Sequence, residues 1–193
     1  MSLKPDLQKL LAENAKLRQE IAELRQQLRF FDTHPTLALG MAGESLIAGI
    51  SGGLETKHTA ISDIILPDGA TIEVKTAHLS SPSLTAPTKR WQWNKIFGQT
   101  GLKSYDYLVL VGEIDERYRY TYSYSDHNYV FFLLPYIEVY RLSIKGSPLA
   151  IVLNSNPKTA RGRSCELFAK FQASPDQLEQ RFKVASALFP QNL

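Results

Sequence analysis

The chain has one cysteine, Cys165, in 193 residues. A disulfide framework and a cysteine-rich zinc site are therefore both excluded within one chain. No run of eighteen apolar residues occurs, so no segment reads as membrane-spanning and no membrane partner is expected. The four histidines, His34, His58, His78 and His127, lack paired ligand spacing, which argues against a histidine zinc site. A Gly-Lys-Ser/Thr phosphate cradle is missing, so no nucleotide cofactor is expected. A G-x-S-x-G serine element is missing too. The polar, charged N-terminus is unlike a secretory signal, and a reducing cytoplasm is the expected compartment.

Negative charge is absent from two long stretches. Between Glu73 and Asp106 lie Lys75, Lys89, Arg90, Lys95 and Lys103 with no carboxylate, and between Glu138 and Glu166 lie Arg141, Lys145, Lys158, Arg161 and Arg163 with none. Such patches can neutralise a polyanion, although a solvated basic surface has the same composition. Otherwise the chain is ordinary for a globular protein, 44% hydrophobic and 21% charged, with room for one compact domain and an appendage.

The appendage is legible at the N-terminus. Leu3, Leu10, Leu17, Leu24 and Phe31 share one heptad position, d, and Leu7, Asn14, Ile21 and Leu28 share the other, a. The repeat predicts a coiled-coil helix over residues 1–31, whose heptad stretch from Leu3 to Phe31 is about 43 Å long at 1.5 Å per residue. Leucine at nearly every d position and a buried amide at a favour two parallel strands in fixed register. Glu13 with Arg18 and Glu20 with Arg25 make the flanking g-to-e′ pairs attractive between chains. A homodimer is expected, with Leu7, Leu10, Asn14, Leu17, Ile21, Leu24 and Leu28 at the seam. A leucine-zipper transcription factor needs a basic helix ahead of the zipper. Only Met1–Asp6 precede the first a-position leucine, so the zipper should dimerise something else.

That something is expected over residues 32–193. Asp32–Pro35 breaks the heptads, and Thr36–Ile50 reads as a helix ending near Gly49–Gly53. Ala60–Leu66 and Ala70–Ala77 read as strands joined by Pro67-Asp68-Gly69, a three-residue hairpin loop with glycine in the left-handed conformation. In this register Leu66 faces Ala70 and Asp63 faces Glu73. Side chains alternate along a strand, so Asp63, Glu73 and Lys75 converge on one side while Ile64, Ile72 and Val74 point to the other. Two neighbouring carboxylates repel, and a divalent cation relieves the repulsion; all-oxygen ligands suit Mg²⁺. A lysine beside them can offset charge developing on a phosphoryl group. An amphipathic hairpin with a wet, charged face is the competing reading, but Ile and Val on both faces point to burial.

These residues resemble the PD-(D/E)XK nuclease superfamily, which includes many type II restriction endonucleases. The motif reads Ser62-Asp63-Ile64 followed by Glu73-Val74-Lys75, with Ser62 where the family name has proline. Glu44, in Gly43-Glu44-Ser45, is similar to the acidic residue the family often carries on the preceding helix. The resemblance implies an α/β (α+β) restriction-endonuclease-like fold, a mixed central sheet flanked by helices. It also implies Mg²⁺ as cofactor, Asp63 and Glu73 as ligands, Lys75 as catalytic lysine and Glu44 as a further catalytic acid. A dimer of such a nuclease matches the two-fold symmetry of a palindromic double-stranded DNA site. A junction resolvase or repair nuclease, and a catalytically silent dimeric DNA-binding protein, are the alternatives.

DNA contacts are expected from Lys57 and His58 before the first strand. A second set, Lys89, Arg90, Gln92 and Asn94, falls on a helix predicted over Pro87–Phe97, and a third, Lys158, Arg161 and Arg163, in the loop Asn154–Arg163. Leu79–Leu84 reads as a serine-rich loop and Tyr105–Ile114 as a strand. Arg117–Tyr124 also reads as a strand, with four tyrosines on one face. Tyr129–Leu134 and Leu149–Leu153 read as further strands, Tyr136–Leu142 as a short helix. A last helix runs from Pro175 to about Leu188, capped by Ser174.

Overall fold

The structure is a computed structural model that describes residues 4–56, 62–98, 103–124, 126–143 and 149–188. The chain divides into two units, Met1–Leu39 and Gly40–Leu193. In the first, α1 (Lys4–Thr33) is a single helix of 30 residues. Its interior is built from Leu, Ala, Glu, Gln, Lys and Arg, strong helix formers, with its one proline confined to the first turn. Leu10, Leu17, Ile21, Leu24 and Leu28 are all exposed along it. The helix α2 (Pro35–Ser51) follows after His34, with proline at its first position.

The second unit is mixed α/β. Its strands are β1 (Leu54–Glu55), β2 (Ile64–Ile65), β3 (Thr71–Ala77), β4 (Arg90–Asn94), β5 (Tyr107–Glu113), β6 (Tyr129–Pro135), β7 (Ala150–Asn154) and β8 (Gln172–Ala173). Its later helices are α3 (Tyr136–Leu142), α4 (Arg163–Glu166), which continues into a π-type turn Leu167–Phe171, and α5 (Pro175–Leu188). Among the described residues, one sheet has the order β1-β2-β3-β5-β6-β8, and β4 pairs with β7 in a separate ribbon. Within the large sheet β3 and β5 run parallel and the other neighbours antiparallel.

Strand alternation sorts the apolar residues into two layers. One face of the sheet buries Ile64, Ile72, Val74, Val109, Val111, Phe131 and Leu133 against Ile47 of α2 and Leu178 and Phe182 of α5. The other face buries Leu108, Leu110, Phe132 and Leu134 against Trp91, Trp93, Ile151 and Leu153 of the ribbon and Val139 and Leu142 of α3. The predicted hairpin register is the one found: Ile64 pairs with Ile72 and Ile65 with Thr71. Gly69, at φ +86°, makes the loop possible; its N–H donates to Leu66 O at 2.9 Å. The cap of α5 also forms as expected, with Gln177 N–H donating to Ser174 Oγ at 3.1 Å and Gln177 Oε1 accepting from Ser174 N–H at 2.9 Å.

Three expectations fail. Pro87–Phe97 is not a helix; its centre is β4. In a helix Trp91 and Trp93 would point about 200° apart, whereas in a strand both reach the core, their indoles stacked at 5.9 Å. Their N–H groups find acceptors there, Trp91 on Glu113 O at 2.7 Å and Trp93 on Val111 O at 3.0 Å. Arg117–Tyr124 is not a strand either. Asp115 caps a 3-10 helix over Glu116–Thr121 by accepting from Arg117 N–H at 3.2 Å. The tyrosines therefore share no face: Tyr122 is buried and Tyr120 exposed. Finally, the strand expected over Ala60–Leu66 amounts to β2, with Ala60 and Ile61 outside the described residues.

Candidate functional site

The hairpin sets the site. The backbone of Asp63 continues the β2–β3 ladder, donating to Ile72 O at 3.0 Å. Its carboxylate then turns across the pair, and Oδ2 accepts the Val74 N–H at 2.8 Å. Glu73 lies on β3 beside Leu108 of β5, and Lys75 beside Leu110. Both therefore belong to the face that the ribbon covers, and Glu73 is 0% exposed. Lys75 Nζ pairs with Glu73 Oε1. Asp63, Glu73 and Lys75 thus come together as the hairpin geometry predicts.

A fourth residue joins them. Lys103 Nζ pairs with Glu73 Oε2 and lies 3.2 Å from Asp63 Oδ1, so one ammonium spans both carboxylates. Its backbone N–H donates to Phe97 O at 3.0 Å, which fixes the chain just before β5. Sequence reading placed Lys103 in a carboxylate-free basic stretch and no closer. The signal was diffuse because the contact to Asp63 spans 40 residues and depends on the β3–β5 crossover. Tyr105 is buried near enough to feel the charge of Glu73, and its hydroxyl donates to Ile96 O at 2.7 Å.

The electrostatics follow from burial. Enclosure raises the Glu73 carboxyl above its ordinary range; Lys75 pulls it down, Asp63 pushes it up, and the lysine hydrogen bonds only partly offset the rise. Burial by itself would lower Lys103, but Glu73 and Asp63 outweigh it, so this ammonium is held firmly charged. Burial, followed by the charge of Glu73, drives the Tyr105 phenol far above its usual value, and it stays protonated. Glu73 Oε2 is completely enclosed, and its cation among the described residues is the Lys103 ammonium. An enclosed carboxylate oxygen is a place for a cation, and here an ammonium stands at it.

The donor set fits one divalent ion held by two carboxylates. One oxygen each of Asp63 and Glu73 already converges on a single positive group, the Lys103 ammonium. Mg²⁺ commonly takes one or two protein carboxylates and keeps several waters. Among the described residues, no group of three or more His, Cys, Asp and Glu side chains gathers to hold a metal. Glu44, half-buried on α2, therefore does not complete a three-carboxylate set.

The expected DNA-contacting residues separate into groups. Gln92 and Asn94 lie exposed and Arg90 half-buried on the outward side of β4, opposite the tryptophans, with Lys89 just before them. They sit on a strand rather than the expected helix, yet still share a face, and Gln92 Nε2 donates to Asn94 Oδ1 at 3.0 Å. Lys158 is exposed in the 3-10 turn Pro157–Thr159, and Arg161 is exposed nearby. Arg163 is exposed too, with Nη1 donating to Ser143 O at 2.9 Å. Lys57 and His58 lie outside the described residues.

Sequence reading also missed a second buried carboxylate. Asp115 accepts from Arg117 Nε at 2.9 Å and Nη2 at 2.7 Å, and from Ser155 Oγ at 2.7 Å. The Tyr122 hydroxyl donates to Ser155 O at 2.7 Å, so this network ties the end of β5 to the end of β7. Among the described residues, no helix is long and apolar enough to cross a membrane. Neither a scan against protein-family models nor a search of curated proteins finds a match for this chain.

Proposed function

We propose that this protein is a Mg²⁺-dependent endonuclease that hydrolyses phosphodiester bonds of double-stranded DNA. In this reading it works as a homodimer and cuts at a short specific sequence, as type II restriction enzymes do. The observation that carries the reading is the convergence of Asp63 and Glu73 on one positive charge with Lys75 beside them. Asp63 and Glu73 would hold the metal. Mg²⁺ bound there supplies a Lewis acid for a phosphoryl oxygen and acidifies a water. Lys75, 25% exposed, presents its ammonium at the edge of the site, where it can orient a nucleophilic water and stabilise charge growing on the phosphoryl group. The complete burial of Glu73 lowers the local dielectric on its side of the site, which strengthens those interactions.

Binding is assigned to the surfaces that carry cations and amides. A two-stranded antiparallel ribbon is one of the shapes the DNA major groove admits. The β4–β7 ribbon offers Arg90, Gln92 and Asn94 on its outer side, groups suited to base edges. Lys89, Lys158 and Arg161 suit phosphates. The exposed stripe of α1 is assigned to a second copy of the chain, joined as a parallel coiled coil; its heptads, Asn14 and the Glu13–Arg18 and Glu20–Arg25 pairings all favour that partner.

The test is direct. Purified protein with Mg²⁺ should cut phage or plasmid DNA through both strands into discrete fragments. Lys75→Ala should lower cutting by about a hundredfold or more while DNA binding persists. Nicking at random positions, preference for branched over linear DNA, or no cleavage of any DNA would each sink the restriction reading.

A further inference from the structure

We infer that Lys103 is the resident counter-ion of the Asp63–Glu73 pair, and that a divalent cation engages both carboxylates only by displacing its ammonium. This rests on the metal site proposed above and adds a gate to it. Among the described residues Lys103 is the cation that touches both acids: Nζ pairs with Glu73 Oε2 and stands 3.2 Å from Asp63 Oδ1. Lys75 pairs with Glu73 alone, through the other oxygen. The position that two converging carboxylate oxygens offer to a metal is therefore the position that Lys103 fills.

The placement is built into the backbone. Gly98 adopts φ +72°, a left-handed turn, and a Cβ at that residue would come within 3.2 Å of the Lys103 Cβ. The turn thus lies against the base of the Lys103 side chain, and the Phe97 carbonyl holds its N–H. The backbone anchors the base of the stem, while the ammonium, on four flexible carbons, is held through its pairs with the two carboxylates. Lys103 is 19% exposed, so the end of the chain has a way out.

Charge counting gives the consequence. Asp63, Glu73, Lys75 and Lys103 sum to zero. A dication added to all four would bring the group to net charge +2 and set the metal at contact distance from an ammonium, and like charges at that distance repel strongly. Withdrawal of the ammonium removes this repulsion and exposes both oxygens. The metal therefore binds more weakly than two bare carboxylates would hold it, and binding is accompanied by release of Lys103.

The probe is Mn²⁺, with binding read from the loss of the free-ion paramagnetic resonance signal in full-length protein. Lys103→Met should tighten Mn²⁺ binding at least tenfold over wild type, equivalent to about 1.4 kcal/mol. Lys75→Met should tighten it less, because Lys75 does not stand between the two acids. Unchanged affinity in Lys103→Met overturns the inference, as does equal tightening in both variants, which would reduce the effect to net charge. Wild type and Lys103→Met both failing to bind Mn²⁺ is a different outcome and removes the metal site itself. A measurement on wild type covers the case in which Lys103→Met does not fold. Reductive methylation of Lys103, quantified by mass spectrometry, should rise several-fold when saturating Mn²⁺ is present, while exposed Lys170 stays unchanged. A Lys103 equally protected with and without Mn²⁺ overturns the inference.

Discussion

Glu73 and Asp115 are both carboxylates closed off from water, 0% and 2% exposed, and the protein treats them in opposite ways. Asp115 is satisfied by neighbours of its own. Arg117 grips both of its oxygens, Ser155 donates to one, and although burial raises its pKa, these hydrogen bonds bring the group below its ordinary value. Glu73 has two ammonium groups and still titrates above its ordinary value, because burial and a second acid, Asp63, beside it outweigh them. Burial alone therefore does not mark a functional acid. In the proposed function the distinction is burial with incomplete neutralisation, because an incoming cation can supply the positive charge that Glu73 still favours.

The sharpest way to break this contrast is to remove the satisfied acid. Asp115→Ala should destabilise the fold by about 3 kcal/mol, the low end for breaking a buried ion pair because Arg117 is itself partly exposed. It leaves a buried Ser155 hydroxyl without its carboxylate and frees the start of the 3-10 helix at Glu116. Chemical denaturation measures the loss, and Mn²⁺ binding per folded molecule should be unchanged. A loss below 1 kcal/mol would mean that the network is ornamental and that the contrast with Glu73 has no energetic content.

The unsatisfied acid should behave the other way. Glu73→Gln removes a charge that burial disfavours, and keeps the shape. The expected result at neutral pH is a gain of about 1 kcal/mol in unfolding free energy, the common size of a function-for-stability exchange, together with loss of Mn²⁺ binding. Destabilisation by Glu73→Gln would show that Lys75 and Lys103 already satisfy the carboxylate, and that the site is a structural ion-pair cluster.

How much of this was readable beforehand depends on how local the cause is. The Asp63–Glu73–Lys75 grouping was legible because Pro67-Asp68-Gly69 sets the loop, and the loop sets the register; Ile64 opposite Ile72 confirms that pairing. The helix boundary at His34 and the cap at Ser174 were legible for the same reason. Lys103 and Asp115 were not. Each acquires its role from residues far along the chain, Asp63 and Glu73 in one case and Ser155 in the other, and no periodicity encodes such a meeting. The Trp91–Trp93 segment misled because basic and amide residues flanked by proline and glycine suggest a helix. The two-residue spacing of the indoles, which a strand alone can bury on one face, was the stronger signal. The same holds at Arg117–Tyr124, where alternation was present but the Asp115 cap redirected the backbone into a 3-10 turn.

The smallest effect is also the one that separates the two acids by sign. Asp115 has a folded pKa below its ordinary 3.8, so its contribution to stability is fully present above that pH and is lost as acid titrates through the lowered value. Glu73 has a folded pKa above its ordinary 4.5, so the folded chain binds its proton more tightly than the unfolded chain does. Stability from this group is greatest below pH 4.5 and declines as pH rises toward the raised value, after which it is level. Melting temperatures followed from acid to neutral pH should show both limbs. The difference between wild type and Asp115→Asn should grow with pH and flatten above 3.8, whereas Glu73→Gln should lie nearest to wild type in acid and gain on it as pH rises through the region above 4.5. Parallel curves for wild type and Glu73→Gln would mean that Glu73 has the same proton affinity in the folded and unfolded chain. The lysines would then neutralise it fully, and the unmet demand for positive charge assigned to this site would not exist.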